Sequence, residues 1–94
     1  MVIQHKKIGD KGLFFAEQDG HILAELSYSS PANDRMVIEH TEVSEELKGK
    51  KVGNKLVHTA VAYAREHKLK IVPLCSFANA VFKRDPELKD VLYE

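Results

Sequence analysis

The apolar residues Val52, Leu56, Val57, Ala60, Val61 and Ala64 recur at spacings of four, one, three, one and three. That period lays them along one stripe of an α-helix, with Lys55, His58, Arg65 and Glu66 facing elsewhere. Upstream the pattern is that of strands. Val2 to Lys7 alternates weakly between apolar and polar, Gly9-Asp10-Lys11-Gly12 supplies a turn, and Leu13-Phe14-Phe15-Ala16-Glu17 resumes a strand-like run. Asp19-Gly20, a favoured pair for a two-residue hairpin turn, separates that run from Ile22 to Tyr28. Ser29 to Asp34 reads as a loop, and Met36 to Val43 is an apolar segment passing into alternation. The first half therefore predicts an antiparallel meander.

Beyond the helix, Leu69-Lys70-Ile71-Val72-Pro73-Leu74-Cys75 is short, apolar and β-branched, which predicts a strand. Pro73 has no N–H to give to a ladder, so this strand must lie at an edge or splay from its neighbour. A strand that follows a strand and a helix is most simply parallel to the earlier strand through a right-handed crossover. A parallel pair that opens midway leaves a slot. Ser76 to Arg84 is helix-compatible, Asp85-Pro86-Glu87 can end that helix and start a final turn, and Leu88, Val91, Leu92 and Tyr93 can cover the sheet edge. The fold class is α/β of the α+β kind: a mixed sheet with an antiparallel N-terminal meander, a strand-helix-strand crossover with a splayed parallel pair, and a C-terminal helix. One domain over residues 1–94 is expected.

Between strand and helix lies Leu47-Lys48-Gly49-Lys50-Lys51-Val52-Gly53-Asn54-Lys55-Leu56-Val57. Ser44-Glu45-Glu46-Leu47 ahead of it carries a cap-competent hydroxyl followed by carboxylates and suits a short helical turn. A turn rich in glycine and lysine at a helix start is an anion-binding arrangement: the first N–H groups have no intrahelical partner, the dipole is positive there, and glycine lets the backbone approach a ligand. A phosphate or pyrophosphate is the natural guest. The plainer alternative is a solvated helix start whose lysines happen to cluster.

Charge narrows the classes. Lys+Arg and Asp+Glu are both 14, so there is no global field to recruit nucleic acid or an anionic membrane, and neither partner is expected. Cys75 is the one cysteine, which excludes an internal disulfide. With no secretory or membrane-spanning apolar run, the chain reads as cytoplasmic. His5, His21, His58 and His67 show no ligand spacing, and no metal is expected.

The runs Glu39-His40-Thr41-Glu42-Val43, Leu47 to Val57 and Leu69 to Cys75 resemble the small single-domain GNAT-like family within the GNAT N-acetyltransferase superfamily. The likeness spans roughly Met36 to Glu87. It implies an acetyl-CoA cofactor whose pyrophosphate lies on the loop, with Lys48, Lys51 and Gly53 at the motif positions and the N–H groups of Gly49, Lys50, Lys51, Val52, Gly53 and Asn54 as donors. It also implies that the pantetheine arm adds, like an extra strand, along the backbone from His40 through Thr41 and Glu42 to Val43, and that Asn79 on the following helix meets the arm. The sequence departs from the superfamily in three ways. Lys51 replaces the first loop glycine, Val81 and Phe82 stand where a phenolic acid often sits, and only the Ser29 to Asp34 loop precedes the main strand, where superfamily enzymes usually insert one or two helices that build the acceptor pocket.

Acetyl transfer to an amine needs the thioester held and a base or water path for the amine proton. His40 is the leading candidate base, since histidine titrates near neutrality; its plain alternative is a partly buried histidine bonded to a carbonyl. Cys75, at the end of the facing strand, could take the acetyl group covalently with His40 as its base, or could be a small buried hydrophobe. Lys83-Arg84 could meet the cofactor's outer phosphate, and solvation is the expectation. The reading is therefore an N-acetyltransferase moving acetyl to an unidentified amine by direct attack, with a partner or a homodimer available to complete the acceptor pocket. The alternative is a non-catalytic acyl-CoA-binding or interaction module on the same scaffold.

Overall fold

A computed structural model describes residues 2–93. One five-stranded sheet has the order β1-β2-β3-β4-β5, formed by β1 (Gln4–Ile8), β2 (Lys11–Gln18), β3 (His21–Ser29), β4 (Arg35–Val43) and β5 (Lys70–Pro73). The first four strands are the antiparallel meander that the alternation predicts. Asp19 and Gly20 carry φ of 52° and 81° at the β2–β3 turn, the two positive values that such a turn demands. The turn before β2 is tighter than expected, for Lys11 and Gly12 already belong to the strand.

Helix α1 (Val52–His67) crosses from β4 to β5, and β5 lies parallel to β4. Every residue of the predicted stripe, Val52 through Ala64, is buried. Helix α2 (Ser76–Arg84) ends at the predicted residue, and a 3₁₀ segment over Pro86–Val91 follows. The chain then returns to the sheet. Ile71 forms a parallel bridge with Leu92 and accepts the Tyr93 N–H at 2.9 Å, so the C-terminal residues cover the outer side of β5.

Both helices lie on one face. Phe14, Ala16, Ala24, Leu26, Tyr28, Met36 and Ile38 join Leu56, Val57, Val61, Val81 and Phe82 in a single core. A β-bulge in β4 then alters which residues share that face. Ser27 pairs with His40 and Tyr28 with Ile38, so Glu39 is the extra residue. Beyond it the core-facing positions shift from Met36 and Ile38 to Thr41 and Val43, opposite Leu26 and Ala24. His40 and Glu42 turn to the other, open face.

At the far end of α1, His5 Nε2 and Tyr28 Oη share a hydrogen bond of 2.6 Å, and the His5 ring stacks on Phe14 at 4.3 Å. Burial, with Lys7 and His67 nearby, holds the His5 imidazole below its ordinary value, while burial and the adjoining Tyr63 push the Tyr28 phenol up to about 12. The folded state thus favours neutral His5. Its contribution to stability is present in full above the unfolded histidine value of 6.5 and is lost as pH falls through the lower folded value. Urea midpoints should fall between about pH 7 and about pH 5, and His5→Gln should flatten that slope; an equally steep slope in the variant would place the proton elsewhere.

Candidate functional site

The parallel pairing of β4 with β5 runs from Arg35↔Lys70 to Ile38↔Pro73 and stops there. Pro73 can donate nothing, and the next two N–H groups, of Leu74 and Cys75, both turn onto the Ile38 carbonyl, at 3.1 and 3.2 Å. The remaining half of β4, Glu39 to Val43, has no β5 partner along that edge. This is the slot that the proline predicts.

The slot leads into a cleft of about 630 Å³ lined by Thr41, Val43, Leu47, Lys48, Gly49, Lys51, Val52, Gly53, Asn54, Phe77 and Arg84. The strand end, the loop and the first turn of α1 thus meet in one place. A 3₁₀ turn over Glu45–Leu47 opens the loop. Ser44 sits at its cap position without using its hydroxyl as a cap; instead its N–H continues the β4 pairing by donating to Leu23 O at 2.8 Å. Gly49 (φ 82°) and Lys51 (φ 60°) both take the left-handed conformation. The Lys50 N–H is spent on Leu47 O, so among the described residues the N–H groups of Lys51, Val52, Gly53 and Asn54 are the consecutive donors left without an acceptor.

Lys51 is therefore a lysine in a conformation better suited to glycine. Left-handed backbone costs a residue with a Cβ about 1–2 kcal/mol, and glycine returns part of that through its freer unfolded state. Lys51→Gly should raise stability by about 0.5 kcal/mol, read from denaturant midpoints. A loss instead would show that the lysine side chain holds the loop.

At the other end of the slot, Cys75 occupies the cap position of α2, and its thiol donates to Thr41 Oγ1 at 3.4 Å. Burial pushes the thiol up, but the ionised sulfur would accept from the Thr41 hydroxyl, turned the other way, and from the N–H groups of Ala78, Phe77 and Thr41, and these outweigh burial and hold Cys75 below the usual thiol value. Asn79 Nδ2 donates to Pro73 O at 3.4 Å, tying α2 to the point where the strands part.

The structure brings together Thr41, Val43, Lys48, Gly49, Lys51, Val52, Gly53 and Asn54, all expected from the sequence. Glu42 and Lys50 are exposed and do not line the cleft. Lys48 Nζ is engaged by Glu45 at 2.9 Å. His40 and Cys75 are not brought together: Cys75 bonds Thr41 on the helix face, and the bulge turns His40 to the open one. Phe77 is a cleft residue that the sequence reading did not place there, and Arg84, for which a contact to the outer phosphate was weighed and solvation expected, lines it as well. Their separation of seven residues, two helical turns, is the signal that puts them on one side of α2.

The family model described as GCN5-related N-acetyl-transferase matches residues 13–91. A GCN5-like protein from Staphylococcus aureus, solved by NMR, is 36% identical with a TM-score of 0.71, over 96% of this chain and 87% of that one. This chain belongs to the GCN5-related N-acetyltransferase family. A ribosomal-protein-alanine N-acetyltransferase from Brucella melitensis (14% identity, TM-score 0.67) is similar over 80% of this chain and 60% of that one. A GNAT family acetyltransferase from Elizabethkingia anophelis, with acetyl-CoA bound, is similar over 80% and 52% (15% identity, TM-score 0.60). At those identities the likeness is one of fold, and this chain spans less than two thirds of either protein. Among curated proteins none matches.

Proposed function

We propose that this chain binds acetyl-CoA in the cleft and transfers the acetyl group to a primary amine. The observation that carries the reading is the continuity of two backbone features: the half-strand Glu39 to Val43, left unpaired where β5 stops at Pro73, runs directly into a loop whose free N–H groups open α1. An exposed strand edge accepts an extended chain bearing amides, as pantetheine does, by adding it as a strand. A helix start with consecutive free N–H groups accepts a pyrophosphate. A cleft of about 630 Å³ is of the size of a cofactor site. The acetyl-CoA in the Elizabethkingia relative is in keeping with this assignment.

In the proposed arrangement Thr41, Glu42 and Val43 offer backbone to the arm, Lys48, Gly49, Lys50, Lys51, Val52, Gly53 and Asn54 form the pyrophosphate loop, and Asn79 steadies the wall of α2. In this reading the slot opens to both faces of the sheet. A thioester in it faces Thr41 and Cys75 on the helix side, and an amine can reach its carbonyl from the open side, where His40 stands to take the proton. Direct attack follows from this division, with cofactor on one face and base on the other.

One observation favours a second route. The Cys75 thiol is held low beside Thr41 without any help from His40, so its thiolate could attack the thioester carbon, releasing CoA thiolate and leaving acetyl-Cys75 for the amine to cleave. Cys75→Ala should leave direct transfer largely intact and abolish the covalent route; mass spectrometry of the wild-type protein after acetyl-CoA alone would show the acetyl adduct if that route operates. The test of the whole reading is isothermal titration with acetyl-CoA and with CoA, followed by an acceptor screen. Absence of binding at millimolar ligand would leave an interaction module on a GNAT scaffold.

A further inference from the structure

Among the described residues, Arg84 and Lys51 line the cleft without a carboxylate partner, whereas Lys48 is held by Glu45. Arg65 is clamped by both oxygens of Asp90, at 2.8 and 2.9 Å, and Arg35 lies 4.4 Å over the Tyr93 ring with Asp34 at 4.0 Å. Arg84 instead donates to a neutral amide, Asn54 Oδ1, at 3.3 Å, from a position lining the cleft. The carboxylate next to it in sequence, Asp85, is occupied elsewhere: Oδ2 is 3.4 Å from His58 Nε2, and Oδ1 accepts the Glu87 N–H at 3.1 Å. Among the described residues, Arg84 makes no ion pair. A guanidinium has five N–H donors in a fork that suits a phosphate, and here most of them are unspent.

Its place in the cleft says which phosphate. Helix α2 begins at the slot, where Cys75 touches Thr41, and ends at Arg84, which touches Asn54 in the first turn of α1. Nine residues at about 1.5 Å each make the helix roughly 14 Å long, so it runs beside the cofactor arm from the thioester end to the nucleotide end. The pyrophosphate is served by the N–H groups of Lys51 to Asn54, on the α1 wall. Arg84 stands on the α2 wall, against the side chain of Asn54, the last of those donors. The next anion along the ligand is the 3′-phosphate on the ribose.

Resting on the acetyl-CoA reading above, we propose that Arg84 is the residue by which this chain distinguishes CoA from 3′-dephospho-CoA. Its guanidinium leaves the Asn54 amide for the 3′-phosphate, exchanging a neutral acceptor for a dianion.

The experiment is calorimetric titration of wild type, Arg84→Gln and Lys83→Gln with CoA and with 3′-dephospho-CoA. Wild type should prefer CoA by about 10-fold, the loss expected for one charge-assisted hydrogen bond. Arg84→Gln should weaken CoA by that factor and leave dephospho-CoA unchanged, bringing the ratio close to one. Lys83→Gln removes a neighbouring cation that does not line the cleft and should keep the wild-type ratio; circular dichroism confirms that both variants fold. Equal weakening of the two ligands in Arg84→Gln would place the guanidinium on the pyrophosphate and overturn the proposal. So would a wild type that binds both ligands equally, with the acetyl-CoA reading intact. If wild type binds neither ligand, that reading fails and this inference with it.

Discussion

His40→Ala is expected to slow acetyl transfer by about 10²–10⁴-fold, the usual worth of a positioned general base, while leaving cofactor affinity and stability close to wild type. The separation follows from the bulge. Glu39 is the extra residue of β4, and past it Thr41 and Val43 face the helices while His40 faces away. His40 is exposed, and truncating an exposed side chain without partners typically moves stability by no more than about 0.5 kcal/mol. The cleft, on the helix side, does not include it. A loss in kcat with Kd for CoA unchanged would therefore report on the amine side of the reaction and not on the cofactor site. Matching losses in melting temperature and rate would mean that the imidazole props the strand. An unchanged rate would remove His40 from the chemistry and leave the amine to lose its proton to water. The same variant also speaks to the cysteine route. If acetyl-Cys75 forms, it should form at an undiminished rate in His40→Ala, because the Cys75 thiol is held low by Thr41 and by the first N–H groups of α2.

What the sequence made legible is what local chemistry dictates. A six-residue stripe at helical spacing has one burial solution, and α1 adopts it. Asp-Gly demands its turn, and a proline in a β-branched run must end a ladder, as it does at Ile38↔Pro73. The loop was legible for the same reason, since glycine and lysine before a helix can do little except meet solvent or an anion. The bulge was not. Glu39 carries no signature that separates it from any other polar residue in an alternating strand, so His40 and Thr41 could be assigned to β4 but not to opposite faces of it with any certainty of which was which. Phe77 was hidden, and Arg84 expected in solvent, for a different reason. Their side of α2 follows from its seven-residue spacing, but what that side meets depends on how α2 lies against α1, which is a tertiary fact. Nor does anything in the residue type announce that Lys51 would take a left-handed backbone. There the need for a tight entry to α1 prevails over the local preference of a residue with a Cβ.

The arrangement of Gly53 gives the second large effect. Gly53→Val should weaken CoA binding by about 100-fold, as expected for two charge-assisted hydrogen bonds at roughly 1.5 kcal/mol each. Two causes converge. The pyrophosphate must come close to the Gly53 N–H, and branched carbons at this position would stand in its way. A Cβ here would also sit 2.7 Å from Phe77 Cζ, so the ring must move. Phe77 is 38% exposed, which lets it swing, and since it lines the cleft a swing can carry it into the space the cofactor needs. The fold should survive, because replacing glycine by valine in the first turn of a helix recovers about 0.3–0.5 kcal/mol of helix propensity and offsets part of the strain. Phe77→Ala separates the causes. In that background Gly53→Ala should bind CoA nearly as well as Phe77→Ala alone, since the ring was the obstacle, whereas Gly53→Val should remain defective, since its branches still block the backbone. If Phe77→Ala restores Gly53→Val as well, the glycine serves the packing of α2 rather than the approach of a phosphate, and the anion-binding role of the loop must rest on Lys51 and its neighbours instead. If it restores neither, the N–H at position 53 is the element that matters, and even one added carbon is too much for the ligand to pass.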